Sequence, residues 1–234
     1  MKRFWNEVAV APDGEEHRIL LDGKPMHLPN GGVLLIGPRP LAEAVAEEWR
    51  VAGGAKGGEM SFADTPLTRV AGTARERIAT DPVTTADAIA RYGENDLLCY
   101  WTDNPPELQA RQEARWRPWL AWSERTYRAP LRVTTGLTPI RQHRDSIARL
   151  RDVVMGLNPY QLAGLGVAVP PLGSLVLGLA LMEGALTATE AHELGALEEL
   201  FQAEQWGEDE EAVTRRQNIA AEIDLAARFL TLLR

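Results

Sequence analysis

The chain has 234 residues, 45% of them hydrophobic and 25% charged, so it can bury one large core or two modest ones and is not a disordered polymer. Its net charge of −8 is unevenly placed: residues 1–182 carry 21 acidic and 21 basic side chains, whereas residues 183–234 carry 12 acidic and 4 basic. That bias argues against a nucleic-acid partner, and a single cysteine, Cys99, excludes a disulfide framework or a cysteine-based zinc site.

The first third reads as β-structure followed by short helices. "FWNEVAVA" alternates, Asp13-Gly14 signals a turn into "HRILL", Asp22-Gly23 a turn into "KPMHLP", and "GGVLLI" is a further strand, which together predict an antiparallel meander. From Pro40, "LAEAVAEEWRVA" puts Leu41, Val45 and Trp49 on one helical face. "GGAKGGE" is a loop, without the GxxxxGK[ST] order of a phosphate-binding loop. A second helix opens at Thr65-Pro66, a third covers "TTADAIARYG", and "DLLCYW" reads as a buried strand.

Beyond Asn104 the pattern is helical. "ELQARQEARWRPWLAWSERTYR" is long and amphipathic, with a kink expected at Pro118, and "LRVTTG" is a short extended piece. Further helices are predicted near 145–156, 159–168, 172–184 and 187–206, with a last one starting near Asp209. The fold class is therefore α+β: a small N-terminal antiparallel sheet with helices over 1–104, then an all-helical C-terminal domain over 105–234. The apolar run at 163–182 is interrupted by Pro170-Pro171 and leaves about a dozen residues, against about 20 needed to cross a bilayer, so a buried helix is expected and no stable membrane insertion. No apolar signal core follows the N-terminal basic pair, and the chain is expected to act where it is made.

Chemistry is sparse. The four histidines, His17, His27, His143 and His192, are scattered without an HExxH pairing, so no metal or other cofactor is expected. The acidic stretch "ALEELFQAEQWGEDEEAV", residues 196–213, is the feature needing explanation. Glu208 to Glu211 sit where a helix starting near Asp209 favours anions, and Glu211 has Arg215 at i,i+4. On the preceding helix, capped by a Thr187/Glu190 box, Leu194, Leu197 and Phe201 form an apolar stripe. Glu199 points away from that stripe into solvent. Glu198 lies on its flank, about 40° from Leu194, and must either satisfy a buried donor or belong to a recognition face. Trp116, Trp119 and Trp122, at i, i+3, i+6, are either an interface or packing at a domain junction.

Several segments, in order, resemble one family: "KRFW", "LLDGKPMHLP", "PLAEAVAEEW", "TPLTRVAGTA", "RYGENDLLCYW", "RQEARWRPWLAW", "GSLVLGLAL" and "AEQWGEDEEA". The chain resembles the ATP-twelve family of assembly chaperones for the F-type ATP synthase, of mitochondria and alphaproteobacteria. Gly72 stands where that family usually has asparagine, and Trp101 where arginine is usual. The resemblance implies a non-enzymatic chaperone that binds the free α subunit of the catalytic head and hands it to β; the chain is expected to be monomeric when free. It also implies a functional acid on the helix before the Trp-Gly pair, which falls on Glu198. The candidate partner-binding residues are thus Glu198, Phe201 and Trp206, with Leu194 and Leu197. The location implied is cytoplasmic in a bacterium, the mitochondrial matrix in eukaryotic relatives. The competing readings are a metal-assisted hydrolase using the acidic cluster with His192, and a generic peptide-binding module using the tryptophan face.

Overall fold

A computed structural model describes residues 1–135 and 140–234. Gly136, the last residue of the predicted extended piece, lies outside the described residues.

Strands β1 (Val8–Asp13) and β2 (Glu16–Leu21) form an antiparallel hairpin in the register Val8↔Leu21 to Asp13↔Glu16. The chain then turns through Asp22 and Gly23, both at positive φ (47° and 77°), the backbone that a two-residue hairpin turn demands and that Asp-Gly supplies. Strand β3 (Lys24–Pro25) pairs with one end of β2, and β4 (Leu35–Ile36) returns to the other end of the same strand, at His17↔Ile36. The expected meander is therefore corrected: β2 is central and the last strand pairs back on it rather than extending the sheet. Segments 26–28 and 32–34 form a tight excursion, joined by a His27↔Val33 bridge.

Helix α1 (Arg39–Val51) buries Leu41, Val45 and Trp49 as its periodicity predicts. Its C-terminal end is held by Arg3, buried at 6% exposure, whose Nη1 donates to the carbonyls of Arg50, Ala52 and Gly54. A cation on these C-terminal carbonyls satisfies groups the helix itself leaves unpaired. Helix α2 (Pro66–Thr73) has proline at its start and continues as a wider turn through Ile78. No side chain of its own caps it. Instead Glu48 of α1 accepts from the N–H groups of Leu67 (2.6 Å) and Thr68 (2.9 Å) and from Thr68 Oγ1 (2.8 Å). Burial raises the Glu48 pKa, and these donors oppose the rise. Trp5 and Trp49 pack at 4.9 Å between centroids beside this network.

Helix α3 (Pro82–Ala90) leads into 3-10 turns at Arg91–Asn95 and Leu97–Cys99 and then into β5 (Tyr100–Trp101). "DLLCYW" is thus a buried turn ending in two strand residues, not a strand throughout. Asp96 makes the difference: its Oδ1 accepts from Leu98 N–H, which closes the turn locally. Helix α4 (Pro106–Tyr127) runs unbroken through Pro118. Strand β6 (Thr134–Thr135) pairs in parallel with β5. The remaining helices are α5 (Arg144–Met155), α6 (Pro159–Leu172), α7 (Leu175–Met182), α8 (Ala188–Gly195), α9 (Leu197–Trp206) and α10 (Glu210–Thr231). Helix α6 carries Pro170 and Pro171 in its last turn and stops before Gly173 at φ 61°. Every residue of α7 is buried, which explains its unbroken hydrophobicity, and no helix among the described residues is long and apolar enough to cross a membrane. The predicted helix over 187–206 is two helices, α8 and α9, broken at Ala196. Gly195 lies so close to Leu172 that an added Cβ would sit 3.2 Å from Cδ2 of that leucine.

The chain falls into two compact units. One comprises residues 1–81, 159–164 and 228–234, with the β2 sheet and α1 at its centre; the other comprises 82–158 and 165–227. The second unit's core gathers Trp116 and Leu120 of α4 with α7, α8 and α9.

Candidate functional site

The acidic C-terminal stretch lies wholly in the second unit, where α8 and α9 pack on α4. Of the five predicted partner-binding residues, three are core. Leu194 (2% exposed), Leu197 and Phe201 are buried with Trp116 and Leu120, and Trp116 Nε1 donates to Leu194 O at 3.0 Å. Trp119 and Trp122 pack half-buried on the same cluster, their rings 6.2 Å apart. The tryptophan stripe is therefore part of this core rather than an open aromatic face. Trp206, the last residue of α9, is the opposite case: 79% of its surface is exposed.

Glu198 is where the flank of the apolar stripe meets α4. Its Oε1 accepts from Gln112 Nε2 at 2.6 Å, and Gln112 has no exposed surface. The same glutamine accepts from Thr102 N–H through Oε1 at 2.7 Å, so its amide cannot turn over without losing both bonds. Of the two explanations for an acid at this position, the buried donor is present. The second oxygen, Oε2, has no protein partner among the described residues and is not sealed from solvent. Half-burial raises the Glu198 pKa, opposed by the Gln112 bond. The result is a carboxylate held at one oxygen and open at the other.

The neighbouring acids have partners. Arg111 donates to Glu204 at 2.8 Å with its guanidinium stacked 5.0 Å over the Phe201 ring, and Arg115 reaches Glu193 at 2.9 Å. Glu199 is not simply solvated: it accepts from Arg215 (2.9 Å) and from Arg216 (3.1 Å), and Arg216, only 7% exposed, also pairs with Glu208 at 2.9 Å. The expected Glu211–Arg215 pair is replaced by this α9–α10 clamp, because Arg215 and Arg216, in the second turn of α10, reach back to α9. Asp209 Oδ1 caps α10 by accepting from Glu211 and Ala212 N–H. The predicted capping box on α8 is present, with Glu190 on Thr187.

Around His192 the acids are likewise engaged, Glu190 by that box and Glu193 by Arg115, and no group of three or more His, Cys, Asp or Glu among the described residues could hold a metal ion. In the acidic stretch Glu199, Glu204 and Glu208 are thus ion-paired and Asp209 is a helix cap, which sets apart one half-buried carboxylate, Glu198, and one exposed tryptophan, Trp206.

Two buried acids escaped the sequence reading. One is Glu48, described above. The other is Asp96, fully buried, which accepts from Ser174 Oγ (2.7 Å) and Val176 N–H (3.0 Å) as well as Leu98 N–H, and so caps α7 from 80 residues away. Burial lifts its pKa to about 6.

The sequence profile described as ATP12 chaperone protein matches residues 2–124. The mitochondrial protein atp12 of Schizosaccharomyces pombe is 24% identical over 220 residues, 90% of this chain and 75% of that one. Atp12 from Paracoccus denitrificans, solved also as a mutant with lysine in place of an aspartate, is 36% identical, with a TM-score of 0.95 over 100% of this chain and 98% of the other. A protein from Agrobacterium tumefaciens is similar at 36% identity and TM-score 0.93, covering 100% and 86%.

Proposed function

The chain belongs to the ATP12 chaperone family and is an assembly chaperone of the ATP synthase; from that premise we propose that it holds the free α subunit of the catalytic head until β replaces it. The observation that carries the proposal is the Glu198 carboxylate, fixed by Gln112 through one oxygen and open at the other. A carboxylate whose direction is already set loses little freedom on meeting a client cation or N–H group, which favours selective yet reversible binding. Trp206, on the same helix and eight residues on, about 12 Å along the axis, supplies a large exposed apolar surface of the kind enriched at interface centres. Leu194 of α8 and Leu197 and Phe201 of α9 serve the site from beneath, by seating these two helices on α4.

In this reading the protein is a non-enzymatic, monomeric chaperone acting in the bacterial cytoplasm, with an affinity that protects α from aggregation and still permits release. The test is capture of the host's α and β subunits, expressed separately. The intact protein retains α and not β. Glu198→Lys abolishes retention, and Glu198→Gln, which can keep the Gln112 bond through its own amide oxygen, weakens it about tenfold or more. Equal retention by the Gln variant removes the charge of Glu198 from the interface, and indiscriminate capture of unfolded chains favours the generic peptide-binding module instead.

A further inference from the structure

An apolar groove of about 880 Å³ opens in the first unit, within the size range of ligand-binding clefts. Its floor is made by Met26, Leu28 and Trp49, and one wall by a single face of α2 and the turn that follows it. Thr65, Thr68, Arg69, Gly72, Thr73 and Glu76 recur on that wall at helical spacing. At Gly72 the floor packs directly on this face: an added Cβ would come within 3.0 Å of Leu28 Cδ2.

Two features of the groove are unlike an ordinary surface cleft. Three large apolar side chains line it and remain exposed: Met1 at 58%, Phe4 at 63% and Phe62 at 66%. Its charge is also opposite in sign to that of the whole chain. Lys24, Arg69 and Arg77 line it, all exposed and none with an ion-pair partner among the described residues. The one acid in the lining, Glu76, accepts from Asn30 N–H. A protein of net charge −8 thus places around this apolar opening three cations without an ion-pair partner among the described residues.

We propose that this groove docks a polypeptide segment of the client that carries apolar side chains flanked by acidic ones. Apolar residues fill the floor and cover Phe4 and Phe62, while carboxylates meet Lys24, Arg69 and Arg77. A small amphipathic molecule could occupy the floor but would leave the exposed aromatic side chains in water, whereas a chain segment covers both. Opposed charges at the rim direct encounter and fix orientation more than they add affinity, which suits a contact that must be released. The inference rests on the client reading above and adds to it a second, chemically different contact: a basic-apolar one here, an acidic one at Glu198.

The test uses the full chain and separately expressed α subunit of the host. A photo-crosslinking residue at position 62 is expected to couple to an α segment rich in apolar and acidic residues. The same residue at Val51, 62% exposed and outside the groove lining, should couple little. Arg69→Glu with Arg77→Glu should weaken α capture about tenfold or more and remove most of its salt dependence, at unchanged thermal stability. If the double variant fails to fold, the crosslink alone decides. Intact protein that retains α, with capture sensitive to Glu198 and indifferent to the groove, overturns this inference and leaves the client reading standing. Intact protein that does not retain α overturns the client reading itself. Coupling from position 62 to a second copy of this chain, or a bound acyl compound found in the purified protein by native mass spectrometry, also overturns the groove's assignment.

Discussion

Gln112 holds Glu198: a fully buried amide on α4 donates to a half-buried carboxylate on α9 at 2.6 Å and takes Thr102 N–H on its other side. Replacing it with an apolar residue of similar size strands both partners. Gln112→Leu should therefore cost about 2–4 kcal/mol, since each stranded polar group loses about 1–3 kcal/mol of compensation. Urea unfolding measures this. A second readout separates the site from simple loss of packing: the Gln112 bond lowers the Glu198 pKa against the rise from burial, so its removal should raise the carboxyl's titration further, followed by side-chain NMR.

The α9–α10 clamp behaves differently. Arg216 is buried, but its partners Glu199 and Glu208 have side chains 30% and 62% exposed and can rehydrate when the cation is gone. Arg216→Met should then cost about 1–2 kcal/mol, below the 3–5 kcal/mol of a fully buried pair that loses one member. Equilibrium unfolding checks the size, and a loss above about 3 kcal/mol would mean the acids are trapped.

These two sites mark what was legible in the sequence. The order of strands and helices, the Thr187/Glu190 box, the start of α10 and the unusual place of Glu198 follow from local periodicity and turn chemistry. Glu199 was misread as solvated because a helical wheel knows only its own helix, and Arg215 and Arg216 arrive from the next one. The break at Ala196 has one weak local signal, the neighbouring Gly195, whose tight approach to Leu172 appears only in the fold. Glu48 and Asp96 were missed for the same reason. Each carboxylate accepts from N–H groups of a helix 19 or 80 residues away, at Leu67 and Val176, and nothing in the sequence around either acid announces that partner.

Two glycines of similar helical setting should respond with opposite sign. In α6, Gly166 is exposed and an added Cβ meets nothing within 4 Å, so Gly166→Ala should stabilise by about 0.5–1 kcal/mol through helix propensity. In α7, the Cβ of Gly178→Ala would lie 2.4 Å from Val169 Cγ2 inside a fully buried core. Overpacking there costs about 1–3 kcal/mol and exceeds the propensity gain, giving net destabilisation. Thermal unfolding of the pair tests this, and stabilisation by Gly178→Ala would show that α6 and α7 can part freely.

Asp96 gives the protein a pH dependence of definite sign. Its pKa rises from the ordinary aspartate value to about 6 because burial penalises the charged form more than Val176, Ser174 and Leu98 reward it. Between the unfolded value, near 4, and about 6, the folded state holds the proton that the unfolded state has released. Stability from this group is therefore fully present below about pH 4, declines as pH rises to about 6, and is level above that. Asparagine removes the titration but turns an N–H₂ toward Val176 N–H or Leu98 N–H, which then lacks an acceptor. Asp96→Asn should thus flatten the decline between pH 4 and 6 and still lower stability at low pH by about 1–3 kcal/mol, the cost of one buried unpaired donor. Urea midpoints at pH 4, 5, 6 and 7 for both proteins measure the two effects, and a wild-type stability that rises from pH 4 to 6 while the variant's stays level would mean that the carboxylate's three donors outweigh its burial.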